Sequence, residues 1–315
     1  MAFQIDPEAP VGTGLLKVIR GEIRTLIRTV GRGARGSQRQ RVRRARTGCK
    51  RIRAALKLFR CSAREFYETY NTYFRDAGRQ LSEIRDAEVL LPAFDQLVEH
   101  QCTPAQRDGF APLRLFLVAR RRRIAGNPKA VERALSDFIR HMRVALVRLS
   151  SYKPAGEDFE VISGGLRLAF ARGRRAYRAA CRSDRDLDFH QWRKASKVVR
   201  YHHRLLRRIW PPDMKALKGS LDDLSGLLGE DQDLSMVSVC LAEGRKVGLD
   251  PGRVKAAMRL IAQVHRESRA AAKIKGALLF DPKPGTWLRR IELQWRISCD
   301  GKPKRDRRRL RQAAF

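Results

Sequence analysis

The chain has 315 residues, of which 68 are Lys or Arg and 33 are Asp or Glu, for a formal net charge of +35. With 43% apolar residues there is material for a packed core, in one large domain or two small ones, and compositional disorder is excluded. A cationic excess on this scale opposes compaction by self-repulsion, so it points to an anionic partner: nucleic acid, a membrane surface or another polyanion. Arg outnumbers Lys 52 to 16. A guanidinium meets two phosphate oxygens at once where an ammonium is a hydrated point charge, although a GC-rich genome also favours Arg. No apolar run approaches the ~18–20 residues of a membrane span, and Met1 to Pro10 lacks the basic and apolar segments of a signal peptide. The six cysteines show neither a Cys-x-x-Cys pair nor zinc spacing. The expectation is a cytoplasmic chain with buried free thiols, no cofactor and no metal.

In chain order, segments 15–30, 41–60, 113–124, 131–149, 190–209 and 253–272 repeat their apolar residues at three- and four-residue spacing, which predicts helices. Gly and Pro cluster between them, at 31–36, 103–104, 126–128, 211–212, 250–252 and 281–285. Nothing alternates with period two long enough to predict a strand, and the fold class is all-α. The stretch 150–158, with Pro154 and Gly156, is the best mid-chain linker.

A linker near half-way prompts a search for duplication. A constant shift of 147 residues places Arg46 on Arg193, Lys50 on Lys197, Arg53 on Arg200, Leu58 on Leu205 and Arg60 on Arg207. Farther along it places Asp76 on Asp223, Leu81 on Leu228, Glu83 on Glu230 and Asp86 on Asp233. The chain therefore reads as two helical halves, 11–150 and 158–298, tandem four-helix bundles, followed by a basic tail over 299–315. Residues 1–150 hold 31 basic and 14 acidic groups, so the positive charge belongs to the folded body and not to the tail alone.

At 100° per residue, Arg43, Arg46, Lys50, Arg53, Lys57 and Arg60 form one stripe beside the apolar face of their helix. His190, Arg193, Lys197, Arg200, Arg204 and Arg207 repeat it. Like charges four residues apart on a helix repel, and two equivalent helices accept that cost without interleaved Glu. A solvated basic face explains one such helix; the duplication favours an anion-binding pair. Lys194 adds a further point charge. Arg20, Arg24, Arg28, Arg167, Arg174 and Arg175 on the preceding helices are second-tier candidates.

The segment His190-Gln-Trp-Arg193-Lys194-Ala-Ser-Lys197-Val-Val-Arg200-Tyr201 resembles the signature helix of the CHAD family, the conserved histidine α-helical domain. Leu81-Ser-Glu83-Ile-Arg85-Asp86-Ala-Glu-Val89 resembles its Leu-Gly-Glu-x-Arg-Asp segment, and Leu227-Leu-Gly229-Glu230-Asp-Gln-Asp233 looks like a second copy. The likeness runs from about residue 11 to 298. It implies two four-helix bundles related by a pseudo-two-fold axis across a basic groove or pore, which binds inorganic polyphosphate and often attaches to polyphosphate granules. One departure is Arg43, which stands where the first signature begins with His.

Polyphosphate has charge and no bases, so a binder needs a long cationic array and gains affinity from counterion release. His190 would donate a hydrogen bond and gain charge beside phosphate. Glu83, Asp86, Glu230 and Asp233 are read as ion-pair partners that orient arginines, not as a metal pair. His202 and His203 are read as satisfied helix histidines, and His100, His141 and His265 as isolated. No phosphate-binding Gly loop, hydrolase motif or magnesium-holding carboxylate cluster is visible, so the chain reads as a binder and not an enzyme. The rival readings are a non-specific nucleic-acid-binding protein, a basic scaffold that docks an acidic protein, and a phosphohydrolase.

Overall fold

The computed structural model describes residues 3–6, 9–154, 156, 158–208 and 211–300; residues 301–315 of the expected tail lie outside it. The described residues are helical and contain no strand. The helices are α1 (Val11–Val30), α2 (Gln38–Leu56), α3 (Arg64–Arg79), α4 (Ser82–Gln101), α5 (Pro104–Arg107), α6 (Ala111–Ala125), α7 (Pro128–Ser150), α8 (Glu160–Ser183), α9 (Asp186–Leu205), α10 (Pro211–Arg245), α11 (Pro251–Phe280) and α12 (Pro284–Asp300). Local chemistry starts several of them. Ser37 and Gln40 form a capping box at α2, Asn127 caps α7 ahead of Pro128, and Asp250 caps α11 ahead of Pro251.

Three apolar clusters hold these helices together. The first joins α1, α2, α3 and α7 and is closed by Val161, Ile162 and Leu166 of α8. The third joins α8 and α9 to the first half of α10 and the last half of α11. Between them, α4 and α6 share a cluster with the second half of α10 and the first half of α11. The middle cluster thus draws helices from both 11–150 and 158–298, so the two halves interlock through it. α12 lies along α8, with Trp287 stacked on Phe170 and Ile291 and Trp295 buried against the first cluster.

The predicted helix over 41–60 ends at Leu56, and Lys57–Arg60 tightens into a 3-10 turn whose Leu58 and Phe59 are fully buried. Of the cysteines expected to be buried, Cys49 and Cys240 are; Cys61 is exposed, Cys102 and Cys181 are partly so, and the Cys299 side chain lies outside what is described. No helix among the described residues is long and apolar enough to cross a membrane.

Candidate functional site

The predicted apolar face of α2, with Ala45, Gly48, Cys49, Ile52 and Ala55, is buried. Gly48 admits Leu26 of α1 so closely that a Cβ there would stand 2.4 Å from its Cδ2. On α9, Phe189, Trp192, Ser196, Val199 and His202 are buried. The two helices pack on each other, with Lys57 in the field of Lys194 and Arg51 in that of Arg204. One buried hydrogen bond joins them, from His202 Nε2 to the Ala54 carbonyl at 2.7 Å. Burial holds the His202 imidazole down to about 4, so it crosses neutral pH uncharged.

This crossing brings the centres of the two predicted stripes together. Arg46 and Lys50 of α2 share a basin with Arg193 and Lys197 of α9, Arg85 of α4 and two carboxylates, Asp86 and Asp233. Asp86 stands 3.9 Å from Arg46, and its counterpart Asp233 stands 3.9 Å from Arg193. At that distance the two carboxylates are loose ion-pair partners of the arginines. Neither pair is a close hydrogen bond, and the buried Nε of both Arg46 and Arg193 has no partner. Arg46 Nη1 donates to the Gly78 carbonyl at 3.3 Å and to Ser82 Oγ, so the unmet donors are the two Nε groups. Burial, followed by the charges of Arg46 and Arg193, pushes Lys50 down to about 8. Burial, Arg193 and Lys50 push Lys197 to about 7. Burial also raises Asp86 and Asp233 above the usual carboxylate range.

The cationic surface extends on both sides of this centre. Lys57, pushed down to about 8 by burial and then by Arg53, groups with Arg172 of α8, Arg60 and Lys194. Arg51, Arg200 and Arg204 gather near Glu22, which accepts from Arg51 at 3.1 Å. Arg53 donates to Asn71 at 3.0 Å, and Arg200 is paired with Asp222 at 2.5 Å, so both turn toward the following helices. Arg43 is exposed beside Arg85. The residue at the equivalent position, His190, contacts the Gln232 side chain. Burial lowers the His190 pKa, with Lys194 and Arg193 adding to the effect, so in the free protein it is less basic than an ordinary histidine.

The second-tier candidates do not join this surface as a group. Arg20 donates to the carbonyls of Leu149 and Ser150, each at 3.0 Å, and closes the C-terminus of α7. Arg174 does the same for α11 through Phe280 at 3.0 Å and Asp281 at 3.2 Å. Orphan carbonyls at a helix end take cationic donors in this way, so these two arginines are caps. Arg24 lies beside Arg20. Arg28, Arg167 and Arg175 are exposed on α1 and α8. Sequence reasoning missed Arg85, Arg172 and Arg51. Arg85 carried a signal, being the immediate neighbour of Asp86; Arg172 and Arg51 lie off the stripes and had none. His265 is not isolated: it stands 2.7 Å from buried Asp231, which also accepts from Arg269 at 2.6 Å. Among the described residues no three His, Cys, Asp or Glu side chains lie together as a metal site.

A family model described as the CHAD domain matches residues 17–242, more than two thirds of the chain. The chain belongs to the CHAD family. Solved structures agree on the fold. PptA from Streptomyces chartreusis is 19% identical with a TM-score of 0.60, over 87% of this chain and 100% of that one. The crystal structure of the CHAD domain from the plant Ricinus communis is 18% identical with a TM-score of 0.55, over 88% of this chain and 94% of that one. Among curated proteins, nothing matches. The CHAD match spans α2, α4, α9 and nearly all of α10, the helices that carry Arg46, Asp86, Arg193 and Asp233.

Proposed function

We propose that this CHAD domain binds inorganic polyphosphate along the α2–α9 surface, as a binding protein and not an enzyme, in the cytoplasm and at polyphosphate granules. The observation that carries the reading is the convergence of Arg46 with Arg193 and of Lys50 with Lys197 in one basin where the buried Nε of each arginine lacks an acceptor. A chain of phosphates supplies those acceptors. Its oxygens displace Asp86 and Asp233 from their 3.9 Å pairings and take charge-assisted bonds from the guanidiniums. Lys57, Lys194 and Arg172 carry the polymer on past the basin, and Arg43 serves as a plain cation where the family has histidine. Counterion release supplies most of the free energy.

The rival nucleic-acid reading needs exposed rings on which bases stack. Tyr201, the aromatic residue of the stripes, is buried and packs edge-on against Phe3. Net charge alone still gives non-specific binding to nucleic acid at low salt. Competition at about 0.15–0.2 M salt, where weak phosphate contacts are screened, separates the two. Long-chain polyphosphate is expected to displace DNA; displacement only in the opposite direction overturns the proposal. A pull-down that survives polyphosphatase would favour an acidic protein partner, and divalent-dependent phosphate release a phosphohydrolase.

A further inference from the structure

A cleft of about 770 Å³ opens between α4 and α6 on one side and α9 and α10 on the other. It adjoins the basic basin, because Asp86 and His190 line it while Asp86 also pairs with Arg46 and His190 lies in the field of Arg193. Its chemistry differs from the basin's. Leu90, Ile124, Met236 and Val239 give it an apolar wall, Glu83 places a carboxylate at it, and Glu243 lies there paired with Arg120 at 3.2 Å. A bare phosphate chain gains nothing from that apolar wall. The cleft suits an uncharged body with flat apolar faces and N–H or O–H donors at its edges, covalently joined to an anion that reaches the basin.

We infer that the cleft takes the nucleoside of a nucleoside 5′-oligophosphate whose phosphates lie on Arg193 and Lys197. The base places a ring face on the apolar wall, and its amine and the ribose hydroxyls donate to Glu83 and to the lone pairs that Arg120 leaves open on Glu243. Arg123 adds a guanidinium plane of the kind that stacks on bases. The 5′-phosphates leave the cleft at His190, which sits three residues and so one helical turn from Arg193. The inference rests on the polyphosphate reading for its phosphate half, and adds to it a second ligand class that shares the basin.

Calorimetric titration in EDTA at about 0.15 M salt tests it with ATP, GTP, tripolyphosphate and long-chain polyphosphate. Fully ionised tripolyphosphate carries one more charge than ATP, so charge alone ranks it tighter. The inference predicts the reverse, with ATP or GTP tighter by about tenfold, which is the effect of one modest apolar contact. Leu187 and Val239 line the cleft and are 62% and 60% exposed, so Leu187→Asn with Val239→Asn changes the wall without touching core or charge. That variant is expected to lose the nucleotide advantage while binding tripolyphosphate and polyphosphate as before. Tripolyphosphate equalling or beating both nucleotides overturns the inference, as does a variant that weakens nucleotide and tripolyphosphate alike. Failure of long-chain polyphosphate itself to bind overturns the underlying reading; polyphosphate binding without a nucleotide advantage overturns this inference alone.

Discussion

Lys50 of α2 stands close enough to Lys197 of α9 to help hold its ammonium down to about 7. The two residues occupy equivalent positions 147 residues apart in the sequence. Under the proposed function, negative charge bound between these two lysines, at about 8 and about 7, would favour their protonated forms.

The pH dependence follows with a definite sign. A phosphate chain favours the ammonium forms of Lys50, Lys57 and Lys197, which stand at about 8, about 8 and about 7 in the free protein. Binding near pH 8 is therefore expected to take up protons, and affinity is expected to fall as pH rises from 6.5 to 9. Calorimetry in two buffers of different ionisation heat measures the uptake, and Lys50→Met with Lys197→Met should flatten the profile. The free protein behaves oppositely. These lysines bind protons more tightly when unfolded, so their contribution to stability rises with pH between about 7 and the ordinary lysine value near 10.4.

Lys57, Lys194 and Arg172 are expected to contribute phosphate contacts without setting the basin. Lys57→Ala with Lys194→Ala should lower the slope of log affinity against log salt by about 1 to 1.5, on the scale of single-strand counterion release. An unchanged slope would remove this group from the binding path.

Gly165 of α8 seats the 3-10 turn that presents Lys57. A Cβ there would lie 2.5 Å from the carbonyl oxygens of both Lys57 and Leu58. Gly165→Ala is expected to cost about 1–3 kcal/mol through forced displacement of that turn. The check is a lower urea midpoint at constant m-value, with weakened polyphosphate binding alongside.

Arg269 joins α11 to Asp231 of α10 and to the turn that starts α9. Its Nε donates to Asp231 at 2.6 Å, its Nη1 to the Asp184 carbonyl at 2.9 Å, and its guanidinium lies 4.5 Å from the Phe189 ring centroid. Asp231 is only 3% exposed. Removing its partner leaves a buried carboxylate short of compensation, so Arg269→Leu should destabilise by about 3–5 kcal/mol. Urea unfolding measures it, and a loss below about 1 kcal/mol would show that His265 alone satisfies Asp231.

The sequence was most informative where duplication doubled a weak signal. A single basic stripe has an ordinary explanation as a solvated face. Arg46 with Arg193 and Asp86 with Asp233 at one constant shift did not, and the structure brings all four to the same basin. What stayed hidden depends on tertiary contact. Arg20 and Arg174 have the composition of ligand-binding residues, yet each is used by a helix end more than 100 residues away in sequence. Arg172 joins Lys57 only because α8 packs on the 3-10 turn, and that turn interrupts a segment whose periodicity predicts unbroken helix. The middle cluster, shared between α4, α6, α10 and α11, likewise has no local signature in either half.

Charge reversal at the basin is the most direct measurement. Lys50→Glu with Lys197→Glu, compared at about 0.2 M salt with Arg307→Glu plus Arg309→Glu in the tail, changes net charge equally in the two variants. The basin variant is predicted to lose polyphosphate binding with helicity intact, and the tail variant to keep it. Equal loss in both would contradict the account and reduce the interaction to bulk basicity.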